Sequence, residues 1–222
     1  PGLRRAVIEA VVFDLDGILL DSEQVWDQAR EQLAEERGGR WHAQAQRDMM
    51  GMSSTEWSRY MHKTIGLPEP PEEISREVVE RLVAIYREHL PALPGAKEAV
   101  ERMAARWPLG LASSSNRELI DLALGLLGVK HLFAATVSSE EVARGKPAPD
   151  VYLEAARRLE VDPARASAVE DSHNGILSAK AAGMRVVAIP NGHFPPDQDA
   201  LEQADVVLDS LGELTPEAIE PG

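Results

Sequence analysis

Hydrophobic positions follow two different patterns along this sequence, and the change between them divides the chain into regions. Near the N-terminus, the apolar run 10–13 predicts a strand that is buried on both faces. From about residue 21 to residue 91, apolar residues recur at helical spacing and no segment favours a strand. From residue 92 onward, short apolar runs alternate with amphipathic stretches, which indicates strands and helices in turn.

The C-terminal region carries five further strand predictions, with a helix expected between consecutive strands. The predicted strands are 109–112, 133–137, 166–169, 185–189 and 204–208. Such alternation predicts a parallel sheet with right-handed crossovers and helices on both faces. The expected fold is therefore α/β, with a Rossmann-like core formed by residues 1–20 and 92–222. Residues 21–91 are expected to form an α-helical domain inserted after the first strand.

Polar residues at capping positions mark two of the helix starts. Ser53 and Glu56 suit the start of a helix that Gly66 ends. Ser115 and Glu118 have the spacing of a capping box, which predicts that the helix after the second strand opens there.

Composition and charge narrow the class of protein and its partners. The hydrophobic content of 44% and the charged content of 27% are typical of a globular domain. A formal net charge of −14 repels nucleic acid and anionic membranes, so neither is an expected partner. The absence of cysteine excludes disulfides and thiolate sites. No apolar run approaches the roughly 18 residues of a membrane span and no signal-peptide pattern opens the chain, which predicts a cytoplasmic location.

The residues that follow four of the predicted strands have the chemistry of one site. Asp14 and Asp16 follow the first strand, and 113–116, a serine-rich run, follows the second. Lys146 follows the third, and 170–172, which includes two acids, follows the fourth. Ligands bind beyond the carboxyl ends of the strands in an open parallel sheet, so we expect these residues to converge on one edge.

Each of these residue types suits phosphate chemistry. Carboxylates provide the hard oxygens that Mg²⁺ prefers, and a serine at a helix N-terminus favours an anion. Lys146 offers positive charge to a carboxylate and a phosphate together. Asp14 is placed to attack phosphorus, and Asp16 to move a proton. Taken singly, the acids also suit turns and helix caps, the serines a helix cap, and the lysine a solvated loop.

Four short motifs resemble those of the haloacid dehalogenase-like hydrolase superfamily. They are Asp14-Leu15-Asp16-Gly17, Leu111-Ala112-Ser113, Gly145-Lys146-Pro147-Ala148-Pro149-Asp150 and Val169-Glu170-Asp171-Ser172. The order and spacing of the motifs are specific, and the resemblance covers nearly the whole chain. The insertion at 21–91 resembles the helical cap domain of the phosphoglucomutase-like branch.

The resemblance implies a role for each motif residue. Asp14 is expected to be the nucleophile and Asp16 the general acid and base. Ser113, Ser114 and Lys146 are expected to bind the substrate phosphoryl group.

The resemblance also implies a metal site and a partner. Asp14, the backbone carbonyl of Asp16, and Asp171 are expected to hold Mg²⁺, with Glu170 beside the ion. The expected partner is a small phosphorylated metabolite, and the chain is expected to be a monomer or a weak dimer.

The function implied is a Mg²⁺-dependent phosphatase that hydrolyses a small phosphomonoester, a sugar phosphate, through an aspartyl-phosphate intermediate. The run 19–23 with Trp26 resembles the sugar-phosphate phosphatases of the branch. A phosphomutase of the β-phosphoglucomutase type is the alternative, although those mutases are expected to carry histidine at the position of Trp26. Dehalogenases proper lack the second acid. A catalytically idle phosphometabolite-binding regulator is a third hypothesis, but it would have no need of Asp16.

In the inserted segment, residues 51–53 lie where the family has a substrate-facing loop. Trp57 and His62, which follow the loop, suit core packing. Arg59 suits either a substrate contact or an exposed position.

Overall fold

The computed structural model describes residues 7–220 and contains one parallel sheet of six strands. The strand order is β3-β2-β1-β4-β5-β6, so the first strand lies in the interior of the sheet. The strands are β1 (Ala10–Phe13), β2 (Leu109–Ser113), β3 (Phe133–Ser138), β4 (Ala166–Glu170), β5 (Arg185–Ala188) and β6 (Val206–Val207). The predicted α/β, Rossmann-like fold is confirmed.

Ten α-helices accompany these strands within the described residues. They are α1 (Glu23–Glu36), α2 (Ala45–Met49), α3 (Ser54–Tyr60), α4 (Pro71–Glu88), α5 (Ala96–Ala104), α6 (Arg117–Leu127), α7 (Asp150–Leu159), α8 (His173–Ala181), α9 (Gln198–Leu201) and α10 (Pro216–Ile219). A π-helical turn, Met61–Ile65, extends α3. The structure adds α2 and this turn to the elements that the hydrophobic pattern predicts.

The sheet buries both of its faces because successive side chains of each strand point in opposite directions. Val11 and Phe13 pack into one hydrophobic cluster together with residues of α5 and α6. Val12 lies between them in sequence and packs into a second cluster, with residues of α7 and α8. Helices therefore cover both faces of the sheet.

Two details differ from the sequence predictions. The last strand has two residues instead of the five of 204–208, because it is an edge strand and Val207 is half exposed. The predicted capping box at Ser115 and Glu118 is wrong, because α6 begins at Arg117 and the Ser115 hydroxyl donates elsewhere. The Ser53–Glu56 cap is present as a reciprocal capping box.

Residues 23–88, called here the helical segment, contain helices and no strand. The chain enters and leaves this segment through two stretches that run antiparallel and pair at Leu20 and Ala92. Backbone hydrogen bonds join Asp21 to Pro91 at 2.7 Å and Leu93 to Leu19 at 2.9 Å. Residues 1–6 and 221–222, the ends of the expected core, lie outside the described residues.

No helix within residues 7–220 is both long enough and apolar enough to cross a membrane.

Candidate active site

The carboxyl ends of three neighbouring strands bring the predicted site residues to one edge of the sheet. Asp14 directly follows β1, Ser113 ends β2, and Glu170 and Asp171 stand at the end of β4. Because β1 pairs with both β2 and β4, these residues are neighbours in space. Lys146 reaches the same edge from the loop between β3 and α7.

Lys146 is a buried ammonium group held by three oxygen atoms. Its Nζ donates to Asp14 Oδ1 at 3.0 Å, to Glu170 Oε1 at 2.5 Å and to the Ala112 carbonyl at 3.1 Å. Burial alone would lower the pKa of Lys146, but the charges of Asp14 and Glu170 outweigh it and raise that pKa. Tyr152 supports the same group, because its ring lies 5.1 Å from Nζ and its hydroxyl donates to Glu170 Oε1 at 2.6 Å. Lys146 therefore stays charged beside Asp14.

Asp14, Glu170 and Asp171 form an acidic trio whose nearest oxygen atoms lie within 4.8 Å of one another. Burial, and then the charge of Glu170, raises the pKa of Asp14 to about 7. Burial and the charge of Asp14 raise the pKa of Asp171 well above its usual range. One ammonium group faces three carboxylates, so two negative charges are uncompensated when all three acids ionise.

The acidic trio fits a divalent cation. Asp171 Oδ1 is buried and has no hydrogen-bond partner among the described residues, whereas Oδ2 accepts from Asn191 Nδ2 at 3.0 Å. A buried carboxylate oxygen without a donor is destabilising unless a cation is nearby. Carboxylate oxygens are the ligands that Mg²⁺ prefers. The trio could therefore hold a metal ion.

Two glycines allow the backbone to approach the trio closely. Gly17 has a φ of +87°, and a Cβ atom there would overlap the Asp171 carboxylate. A Cβ at Gly175, in the first turn of α8, would overlap the carboxylate of Glu170. Larger residues at either position would displace the acids.

Asp16 is not part of the acidic trio, and its carboxylate accepts hydrogen bonds from three donors. Its Oδ1 accepts from the Ser22 hydroxyl at 2.5 Å and from Trp26 Nε1 at 3.2 Å. Its Oδ2 accepts from the Ser115 hydroxyl at 2.6 Å. These bonds orient the Asp16 carboxyl in the cleft that Asp14 and other site residues line.

The two serines predicted to bind phosphate have different surroundings. The buried Ser113 hydroxyl accepts from the Ser115 backbone N–H at 3.0 Å. The Ser114 hydroxyl donates to the Gly51 carbonyl at 3.0 Å, which joins the core to the loop before α3. Asn174 Nδ2 donates to the Met50 carbonyl in the same loop at 3.1 Å.

The helical segment forms the opposite wall of the cleft. This helical wall, as it is called below, comprises Glu23, Trp26, Arg30, Met49, Met50, Gly51, Met52 and Trp57. Trp57 is buried, as expected. His62 is only half-buried, and its Nδ1–H donates to the Leu67 carbonyl oxygen at 2.9 Å. Arg59 is exposed and lies outside this cleft.

Four polar residues of the site did not emerge from the sequence: Arg30, Gln46, Tyr152 and Asn191. Ser115 lies in the predicted run 113–116, but its contact with Asp16 was not predicted. The only sequence signal for Arg30 is its spacing of four residues from Trp26, which places both on one face of α1. Nothing in the local pattern indicates that an arginine would be buried. Tyr152 has only the helical spacing of the apolar residues around it, and its hydroxyl contact with Glu170 becomes visible only in the fold.

Comparison with known proteins identifies the family. Residues 11–189 match the family model described as haloacid dehalogenase-like hydrolase. Hexitol phosphatase B of Escherichia coli is 36% identical over 214 residues, which cover 94% of this chain and 95% of that protein.

Solved structures of similar fold include further proteins that act on or bind phosphorylated sugars, by their names. CbbY from Rhodobacter sphaeroides in complex with xylulose-1,5-bisphosphate superposes with a TM-score of 0.86 at 28% identity, covering 97% of this chain and 100% of that chain. A β-phosphoglucomutase from Clostridium difficile gives a TM-score of 0.81 at 25% identity, with 95% of each chain covered. The expected enzyme class, a phosphoric monoester hydrolase, is confirmed by the phosphatases among the relatives. This chain belongs to the haloacid dehalogenase-like hydrolases.

Proposed function

We propose that this chain is a Mg²⁺-dependent phosphatase that hydrolyses a small phosphomonoester, a sugar phosphate, through an aspartyl phosphate on Asp14. The observation that carries the proposal is the buried pair of Asp14 and Lys146, 3.0 Å apart in a cleft that Asp16 also lines. A carboxylate nucleophile and a fixed positive charge at one point suit phosphoryl transfer.

Two proton transfers by Asp16 complete the proposed reaction. In the first step, an Asp14 carboxylate oxygen forms a bond to phosphorus while the bond from phosphorus to the substrate oxygen breaks. Asp16 gives its proton to that leaving oxygen. In the second step, Asp16 takes a proton from water as the water oxygen attacks phosphorus, and the bond to Asp14 breaks. Inorganic phosphate leaves and both acids return to their starting forms.

Lys146, Ser113 and Ser114 are proposed to bind the phosphoryl oxygens. The charge of Lys146 is suited to this because it is fixed and buried. The Ser114 hydroxyl already donates to the Gly51 carbonyl, so we propose the backbone N–H of Ser114 as its donor to the phosphoryl group.

The proposed metal ligands are Asp14, Asp171 and the backbone carbonyl of Asp16, with Glu170 beside the ion. The unpartnered Oδ1 of Asp171 and the excess negative charge of the acidic trio support a divalent cation there. When bound, Mg²⁺ would neutralise negative charge on the phosphoryl oxygens.

Residues 21–91 are proposed to act as a cap domain over a core of residues 1–20 and 92–222. The two connections lie side by side at Leu20 and Ala92, which suits a hinge. Closing the cap would exclude bulk water and strengthen the charges that act on the phosphoryl group.

The sugar-phosphate class rests on the relatives, among which hexitol phosphatase B has the highest identity reported above. The likeness to a β-phosphoglucomutase keeps phosphomutase as the second candidate. Trp26 argues against it, because its indole donates to Asp16 at 3.2 Å and, unlike the histidine expected there in the mutases, cannot act as a general acid or base near neutral pH.

Phosphate release from p-nitrophenyl phosphate and a panel of sugar phosphates in Mg²⁺ tests the proposal. We expect release of inorganic phosphate from at least one sugar phosphate, with no isomeric sugar phosphate among the products. Isomeric products without phosphate release would establish a mutase. Binding of sugar phosphates without turnover would establish a regulator.

A further inference from the structure

Arg30 is a buried cation in the helical wall of the cleft. Its residue is 5% exposed and lines the same cleft as Asp14, Asp16 and Lys146. The guanidinium lies over two indole rings, with Cζ 4.7 Å from the centroid of Trp26 and 4.7 Å from that of Trp57. The two rings fix the plane of the guanidinium.

The hydrogen-bonding capacity of Arg30 is largely unused. Nη1 donates to Gln46 Oε1 at 3.1 Å, but the buried Nε has no partner within residues 7–220. Among those residues no carboxylate oxygen lies within 4.0 Å of the guanidinium, whereas other arginines of the helical segment form ion pairs, for example Arg81 with Glu36. A buried charge without a counterion is costly, so its retention needs an explanation.

The charges of Glu23, Asp27 and Asp16 favour the protonated form of Arg30, but none of these three carboxylates forms an ion pair with it. Gln46 Nε2 donates to Glu23 Oε2 at 3.0 Å and to the Glu23 carbonyl at 3.2 Å. These two hydrogen bonds fix the Gln46 amide so that its oxygen faces Arg30. Burial, and then the charge of Asp16, raises the pKa of Glu23 to about 8. Burial lowers the pKa of Arg30 to about 10, which leaves the guanidinium protonated at neutral pH.

Trp26 relates Arg30 to the reacting groups. One edge of the indole donates to Asp16, and the face of the same ring carries the Arg30 guanidinium. The Trp26 indole thus stands between Arg30 and Asp16. A substrate whose phosphoryl group lies beside Asp14, and whose other end contacts the helical wall of the same cleft, could reach Arg30.

We propose that Arg30 binds an acidic group, a carboxylate or a second phosphate, at the end of the substrate remote from the reacting phosphoryl group. This inference rests on the proposed function and narrows its substrate class from sugar phosphates in general to phosphorylated sugar acids or sugar bisphosphates. The guanidinium fork matches both oxyanions.

The first experiment measures binding without turnover, in the Asp14→Asn protein with Mg²⁺ by calorimetry. Sorbitol 6-phosphate and 6-phosphogluconate are both open-chain and differ only in a terminal carboxylate, and fructose 6-phosphate and fructose 1,6-bisphosphate are both furanoses that differ in a second phosphate. We expect the acidic member of at least one pair to bind about 10- to 100-fold more tightly, as a charge-assisted hydrogen bond provides. The pair that shows the difference identifies the acidic group.

Arg30→Gln and Arg30→Lys in the same background test the residue itself. We expect Arg30→Gln to abolish the preference for the acidic ligand and Arg30→Lys to retain part of it. Arg87→Gln is the matched control, because Arg87 is exposed in the same segment and lines neither the cleft nor the cavities beside it, and it should retain the full preference. In the protein with Asp14 intact, Arg30→Gln should lower kcat/KM for the acidic substrate by a larger factor than kcat/KM for p-nitrophenyl phosphate.

The results separate this inference from the proposed function. Equal binding within both ligand pairs by folded protein with Arg30 intact would overturn the role of Arg30, even if phosphatase activity is high. An equal loss for all ligands and for p-nitrophenyl phosphate in Arg30→Gln would also overturn it and assign Arg30 to packing. Preference for an acidic ligand that depends on Arg30, in a protein without phosphatase activity, would support this inference and refute the proposed function.

Discussion

The two walls of the cleft differ in how their charges are compensated. On the core side, Lys146 touches two carboxylates and a carbonyl oxygen, and the surrounding acids come from the ends of neighbouring strands. On the helical wall, Arg30 is equally buried but has aromatic faces and one amide as neighbours. Lys146 and the acidic trio are proposed to act on the phosphoryl group of every substrate. Arg30 is proposed to act only on substrates that carry a second acidic group.

The largest effects on turnover are expected from changes on the core side of the cleft. Replacing Asp14 with Asn should reduce turnover of every phosphomonoester by about 10⁴-fold or more, because the proposed nucleophile is lost. Steady-state phosphate release from an aryl phosphate and a sugar phosphate measures this. Asp209→Asn, the same change at an exposed residue, should leave both rates unchanged. A loss of turnover for only one of the two substrates would contradict the proposal that the core side acts on every phosphomonoester.

Removal of divalent metal ions should also lower the rate of turnover of every substrate by a similar factor. Chelation of divalent ions removes charge stabilisation worth several kcal/mol, which corresponds to about 100-fold or more in rate. Mg²⁺ should restore activity better than Ca²⁺, which prefers more ligands and a looser geometry. Asp171→Asn should raise the Mg²⁺ concentration needed for half-maximal activity. Full activity in excess chelator would refute the role proposed for the acidic trio.

Tyr152→Phe tests how much the hydrogen bond from Tyr152 to Glu170 contributes to stability. The change removes the buried hydrogen bond to Glu170, and we expect a loss of about 1–3 kcal/mol in unfolding free energy. Tyr60→Phe removes an exposed hydrogen bond to Asp48 and should cost less than about 0.5 kcal/mol. Urea denaturation of the two variants makes the comparison. Equal losses would mean that burial of the charge cluster contributes nothing to stability.

The smallest effect on stability is expected at Ser53, the N-cap residue of α3. Ser53→Ala removes the capping box of α3 and should lower stability by about 1 kcal/mol. Thr55→Ala, at an exposed position in the same helix, should stay within about 0.5 kcal/mol of the unchanged protein. Thermal unfolding distinguishes them. A Ser53→Ala protein as stable as Thr55→Ala would show that the rest of the segment, and not the cap, holds α3 in place.

The sequence by itself predicted the sheet and the core side of the site. Apolar runs such as 10–13 identify buried strands because β-strand burial is a local, periodic property. Asp14, Lys146 and Asp171 then follow from one rule, since the carboxyl ends of parallel strands share an edge. A glycine directly after the first strand also indicates a backbone turn at Gly17, although its close approach to Asp171 becomes visible only in the fold.

Only the tertiary structure decided the surroundings of Asp16 and the helical wall. Ser115 has the spacing of a helix cap, yet its hydroxyl donates to Asp16, 99 residues away in sequence. Arg30 occupies an ordinary position in an amphipathic helix, and its burial depends on Trp57 and Gln46, which come from α3 and α2. Local sequence sets backbone periodicity, whereas the partner of a polar side chain depends on which distant segments fold against it. A hydroxyl or guanidinium satisfies its hydrogen bonds with the nearest group that the fold provides.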